Sequence, residues 1–138
     1  MKILLAWSEN GPEMKLLLDA LTHDGHEIVY WIGVNATKNL TPQGTIFHDH
    51  FEAWDAKPAE ALRAEKIPPA SASLIQSRFD TMSLVMAVMN KHYDKAPVDE
   101  RKHIYYTMLA YWNYVLEKTK PDCVIFNIIP HSIYSNII

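Results

Sequence analysis

Residues Ile3, Leu4, Leu5, Ala6 and Trp7 form an unbroken apolar run. A strand with one face in water alternates apolar and polar positions, whereas a strand covered on both faces of a parallel sheet does not. The run therefore predicts a central strand. After the polar stretch SENG comes Pro12, tolerated in a helix's first turn, and then Met14, Leu17, Leu18 and Leu21 at helical spacing. HDGHE closes that pattern with Gly25 as its C-cap, so a helix is expected over residues 12 to 23. EIVYWIG predicts a second strand at 27 to 32. The opening of the chain thus has the strand-helix-strand rhythm of a doubly wound fold, with a right-handed crossover.

GTIFHDH predicts a third, shorter strand at 45 to 48, and the segment from Phe51 to Lys66 reads as a helical stretch or an irregular connection punctuated by Pro58. IPPASAS marks a break. From 72 to 92 the positions Phe79, Met82, Val85, Met86 and Met89 share one helical face, and DKAPVDE closes that helix and opens another. The second runs from 97 to 118 with a stripe of Ile104, Tyr105, Met108, Tyr111, Trp112, Val115 and Leu116, and KTKPD ends it before a fourth strand at 123 to 127. Ser132 reads as the N-cap of a further helix. The fold class expected is α/β: a three-layer Rossmann-like domain with a mostly parallel sheet of at least four strands and two long helices between strands three and four. Residues 1 to 138 are read as a single domain. A helix begun at Ser132 needs on the order of ten residues to cover its share of a sheet, so the expectation is that the polypeptide continues past Ile138 and that this chain is the N-terminal part of a longer protein.

With 138 residues and 49% hydrophobic content the chain can bury one core of its own. A net charge of -3 offers no electrostatic footprint for a nucleic-acid backbone, so nucleic acid is excluded as a partner. The single cysteine, Cys123, lies inside the apolar run CVIF, where a thiol behaves as a small buried hydrophobe, and the chain is not disulfide-built. MKILLAW is too short for a signal-peptide apolar region, and no stretch approaches the ~18 apolar residues of a transmembrane segment. A cytoplasmic location is expected, with any membrane, such as the inner membrane, met peripherally from its surface.

Ligands of open α/β sheets bind beyond the carboxyl ends of the strands. That rule selects Ser8, Glu9, Asn10 and Gly11 after the first strand, and Gly33, Val34 and Asn35 after the second. It selects His48, Asp49 and His50 after the third, and Asn127, Pro130, His131 and Ser132 after the fourth. The first loop has one glycine rather than G-x-G-x-x-G, and Glu9 and Glu13 would repel a phosphate at the following helix N-terminus. A sugar hydroxyl or uncharged group suits it better; the alternative is an ordinary turn in which Asn10 or Ser8 satisfies backbone donors. His48 and His50 on a strand would share a face, yet two ligands fall short of the three or four that zinc needs, so no metal is expected and a hydrogen-bonded loop end is the simpler reading. His23 and His26 bracket a helix C-terminus as capping groups.

His131 is the leading candidate base, because a helix N-terminus lowers an imidazole's pKa and keeps it neutral; the alternative is a structural histidine bonded to a neighbouring loop. Asn127 would orient it or bind a ligand hydroxyl. The methionines and most aromatics read as core, while Tyr106 and Tyr114, off the main stripe, are placed to face a carbohydrate or a partner. Residues Asp99 to Lys102 form a solvated first helical turn.

The opening MKILLAWSENGPEMKLLLDALTHDGHEIVYWIG resembles the first β-α-β unit of GT-B glycosyltransferases. KPDCVIFNIIPHSIYSNII is similar to a strand-turn-helix in the amino-terminal part of bacterial capsule and surface-polysaccharide biosynthesis proteins. The resemblance covers residues 1 to 33 and 120 to 138. It implies an acceptor-side domain of a transferase whose separate carboxy-terminal domain, missing here, binds a nucleotide-sugar donor. This chain alone would then bind no cofactor and not turn over. The resemblance further implies Ser8, Glu9, Asn10 and Gly11 as the cleft loop and Pro130 and His131 as the turn facing it, with a carbohydrate or lipid-linked carbohydrate as acceptor. His131, or else Glu9 or Asp49, would take the acceptor hydroxyl's proton. Two other readings stay open. One is a non-catalytic α/β module binding a ligand or protein, with 72 to 118 as a docking or homo-oligomer surface; the other is a small enzyme using His131 with Asp49 or His48.

Overall fold

The computed structural model describes residues 1 to 128 and 132 to 138. Strand β1 (Lys2–Ala6) leads into helix α1 (Glu13–His23) and strand β2 (Glu27–Gly33), followed by a 3-10 turn at Asn35–Leu40. Strand β3 (Ile46–Asp49) runs directly into α2 (His50–Trp54) and a second 3-10 turn at Glu60–Leu62. Three helices follow, α3 (Ala72–Ser77), α4 (Phe79–Met89) and α5 (Val98–Thr119), before strand β4 (Cys123–Phe126) and helix α6 (Ile133–Ile137). The protein is α/β, and its four strands form one all-parallel sheet in the order β3-β2-β1-β4. The described residues divide into two compact units, 1–65 with 118–128 and 66–117 with 132–138.

The first unit holds the sheet. Ile3, Leu4 and Leu5 of β1 are at most 1% exposed, which is what an unbroken apolar run between two neighbouring strands requires. Pairing with β2 passes from Ile3 with Ile28 to Leu4 with Tyr30, so Val29 is an extra residue and the strand bulges there. The bulge lets both Ile28 and Trp31 join Ile3 and Leu5 in the cluster that Met14 and Leu18 of α1 complete. Cys123 packs against the same cluster as a half-buried free thiol. At the amino end of the sheet, the Lys2 N–H donates to Asp122 Oδ2 at 2.7 Å, and the Asp122 N–H donates to the Lys2 carbonyl at 2.8 Å. The helix α1 stops where Gly25 takes φ +76°, a conformation glycine adopts without steric cost.

Gly33 is required for another reason. A Cβ there would stand 2.9 Å from the Trp31 indole and 3.0 Å from the Phe47 ring, which meet edge to face at a centroid distance of 5.3 Å. The small residue lets the two rings close over the end of β2.

The second unit is helical. The helix expected over 72 to 92 is divided at Arg78 (φ -108°, ψ 11°) into α3 and α4. Val85 and Met89 are buried as the periodicity requires, but Phe79, expected on the same face, is 63% exposed. It is the first residue of α4, and at about 100° per residue it stands roughly 120° around the helix from Val85. In α5 the expected stripe is buried at Tyr105, Met108, Tyr111, Trp112 and Val115. That helix ends at Lys120, whose φ of 46° turns the chain into the left-handed region just before Pro121. Ser132 caps α6 through a reciprocal box with Ser135, and Tyr134 meets the Trp112 ring at 5.8 Å. Burial pushes the Tyr134 hydroxyl's pKa up to about 12, against a smaller opposing effect of its hydrogen bond with Ser132.

Candidate functional site

From β1 the chain moves to β2 and β3 on one side of the sheet and then crosses to β4 on the other. The order therefore reverses between β1 and β4, and the crevice beyond their carboxyl ends is where an open α/β sheet accommodates a ligand. Trp7 continues β1 by donating its N–H to the Ile32 carbonyl at 2.9 Å, and the Asn127 N–H continues β4 by donating to the Ala6 carbonyl at 3.2 Å. The Trp31 indole N–H donates to the Trp7 carbonyl at 3.1 Å, pinning the point where the β1–α1 loop departs. Sequence reasoning missed this tether; its one signal is the glycine two residues after Trp31, which marks a close ring on that face of the strand.

The loop itself is open chemistry. Helix α1 has no side-chain N-cap: Pro12 occupies that position, and the Met14 N–H donates to the Gly11 carbonyl at 3.1 Å. Ser8 is half-buried, Glu9 and Asn10 are exposed, and none of their side chains makes a hydrogen bond or ion pair among the described residues. Structural capping by Ser8 or Asn10 is thus not what the fold uses. The Glu13 carboxylate lies against Gly11, so close that a Cβ at Gly11 would collide with it. A carboxylate over that turn places negative charge where a phosphate would have to approach the helix.

On the β4 side, the half-buried Asn127 has its carboxamide Nδ2 shielded from solvent and donating to nothing among the described residues. A buried amide left without a partner costs free energy, on the order of 1–3 kcal/mol. Its position places an unsatisfied donor at the reversal point. Pro130 and His131 lie outside the described residues.

The two remaining candidates are engaged by the fold. Asp49 caps α2: its Oδ1 accepts from the N–H groups of Phe51 at 3.0 Å and Glu52 at 3.2 Å, while Oδ2 accepts from the Asn35 N–H at 3.1 Å. One carboxylate therefore ties the loop after β2 to the end of β3. His48 is buried with Nδ1 2.8 Å from the Tyr30 hydroxyl and Nε2 2.9 Å from the Lys57 carbonyl. A carbonyl only accepts, so Nε2 carries the proton and Nδ1 accepts from Tyr30. Burial pulls the imidazole's pKa down to about 4, outweighing the Lys57 carbonyl and the neighbouring Asp49, which favour the charged form. His50 opens α2 instead of extending β3, so the two histidines do not share a strand face; its ring packs edge-on against Phe51 and Trp54. Among the described residues no group of three or more His, Cys, Asp or Glu side chains gathers around a point where a metal ion would sit.

Beyond Asp49 a hollow of about 190 Å³ is framed by the Lys38–Glu60 ion pair, at 2.7 Å, and the Arg63–Glu52 pair. Both cations there are paired with a glutamate, and the Asp49 carboxylate is held by backbone N–H groups. Among the described residues, no helix is long and apolar enough to cross a membrane. No family model, no curated protein and no solved structure matches this chain.

Proposed function

We propose that this chain is the acceptor-side, Rossmann-like domain of a glycosyltransferase-like protein of surface-polysaccharide biosynthesis, acting in the cytoplasm at the inner membrane surface. The observation that carries the reading is the set of uncommitted polar groups on the two sides of the switch point: Ser8, Glu9 and Asn10 after β1, and the Asn127 carboxamide after β4. Hydroxyl, carboxylate and carboxamide groups without a cation suit an uncharged, hydroxyl-rich ligand. The Glu13 carboxylate against Gly11 argues that the donor's diphosphate is held elsewhere, by a second domain that also supplies its stabilising charges.

In the reaction so read, a base removes the acceptor hydroxyl's proton and the oxygen bonds to the donor's anomeric carbon. The bond from that carbon to the diphosphate breaks, and its electron pair leaves with the diphosphate. His131 is the proposed base, with the exposed Glu9 carboxylate as the alternative. Asp49, held by three backbone N–H groups, serves as scaffold in this scheme.

The test is an amide-resonance titration of the protein with cellobiose and, separately, with UDP. Cellobiose is expected to move the resonances of Ser8 to Gly11 and Asn127 and to lose that effect in Asn127→Leu. A response of those residues to UDP with none to the sugar would overturn the reading.

A second reading, a non-catalytic docking module, draws on the apolar side chains that remain exposed on the helical unit, Phe79 at 63% and Leu84 at 57%. Self-association through residues 72 to 118 is its simplest form.

A further inference from the structure

The helical unit carries its own groove, of about 590 Å³, between the segment around Pro69 and one stripe of α5. Small-molecule sites typically occupy ~300–1,000 Å³. Ala110, Asn113, Tyr114 and Glu117 fall at i, i+3, i+4 and i+7, so all four line the same side of the helix. Ala110 contributes only a methyl group to the wall, and Pro68 and Pro69 lie in a facing segment without regular structure, where proline disfavours a backward extension of α3.

The groove's chemistry is selective. On the α3 side the hydroxyls are engaged within the segment: Ser71 Oγ accepts from the Leu74 N–H at 3.2 Å, Ser77 Oγ donates to the Leu74 carbonyl at 2.8 Å, and the Ser73 and Ser71 hydroxyls bond each other at 3.0 Å. On the α5 side, Asn113 and Glu117 have no hydrogen-bond or ion-pair partner among the described residues. No lining side chain is cationic. An anionic ligand would therefore meet the Glu117 carboxylate with nothing to offset it. A saturated ring with several hydroxyls fits: a carboxamide both donates to and accepts from hydroxyls, a carboxylate accepts from hydroxyls or pairs with an amine, and a tyrosine ring packs against C–H bonds.

We propose that this groove binds a polyhydroxylated ring, neutral or amine-bearing, with Asn113 and Glu117 as its polar contacts and Tyr114 as its packing surface. The site belongs to the helical unit and stands independently of the reading given to the β1–β4 crevice. Its ligand is held by the lining of one helix face and enters no covalent step.

The test is an amide-resonance titration of the whole chain with cellobiose, glucosamine and glucuronate. Cellobiose and glucosamine are expected to move the resonances of residues 110 to 117 and the Asn113 side-chain amide, and glucuronate to leave them in place. Ala110→Leu fills the hollow while keeping a strong helix former, and should abolish the response without unfolding the protein. Asn113→Ala should weaken binding about fivefold, the equivalent of one hydrogen bond. Glu117→Gln should weaken glucosamine more than cellobiose. Silence at 110 to 117 with both sugars, an equal response to glucuronate, or a response that survives Ala110→Leu would overturn the inference. Responses at residues 8 to 11 and 127 report on the crevice alone, so either site can fail while the other stands.

Discussion

His48 is 1% exposed, and its imidazole is neutral because burial lowers its pKa from 6.5 to about 4. Between those values the unfolded chain takes up a proton that the folded chain refuses. Stability from this group is therefore fully present above about pH 6.5, falls as the pH drops, and stops falling near pH 4, a loss of roughly 3 kcal/mol. Denaturation curves at pH 7, 5.5 and 4 should show that loss, and His48→Gln should flatten it; an unchanged slope in the variant would assign the effect to other groups. HDH as a sequence invited a metal, with a hydrogen-bonded loop end as the simpler reading, but nothing adjacent names the partner of His48. What decides its role is the β2–β3 register, which pairs Tyr30 with Ile46 and Ile32 with His48 and so brings the Tyr30 hydroxyl to the imidazole. That register joins residues 18 positions apart, beyond the reach of any local spacing.

At the scale of elements, local pattern was informative wherever one helix face or one strand run stood alone. The first strand, α1, the buried stripe of α5 and the Ser132 cap all follow from periodicity and capping chemistry. The division between α3 and α4 does not, because no proline or glycine marks it. The Arg78 N–H bonds the Ile75 carbonyl at 3.2 Å, a tightened turn, while the apolar spacing runs on across it. Asp49 belongs to this scale too, since it joins two loops and one helix N-terminus. Asp49→Ala should destabilise the protein by about 2 kcal/mol in urea denaturation, from a lost cap and an orphaned Asn35 N–H. Asp49→Asn, which keeps a carbonyl acceptor, should cost less. A stability unchanged in both variants would mean that the carboxylate is not the scaffold its geometry describes.

For the molecule as a whole, a net charge of -3 leaves association to its surface chemistry, and the two features that bear on it are uncommitted polar groups and exposed apolar ones. If α4 is a docking face, sedimentation should show a concentration-dependent dimer that Phe79→Ser with Leu84→Ser converts to monomer, at little cost in stability, because both side chains are already in water. A wild-type monomer at every concentration would remove the self-association reading. A homo-oligomer surface over 72 to 118 is open from the chain, but the exposure of Phe79 is not legible there, because Phe79 has the spacing of a core residue.

The sequence by itself determined that a parallel sheet would form and which loops would gather at its carboxyl edge, since continuous apolar strands bury both faces and the crossover connections bring their exits to one side. Only the tertiary structure decided which polar groups of those loops the fold uses for itself. Asp49 and His48 find partners at Asn35, Tyr30 and Lys57, whereas Ser8, Asn10 and the Asn127 amide find none among the described residues. The physical reason is that a hydrogen bond is satisfied in space, by whatever chain segment the register brings within about 3 Å. Apolar periodicity and helix caps are written along the chain; distant partners such as Tyr30 for His48 and Asn35 for Asp49 are settled only across it.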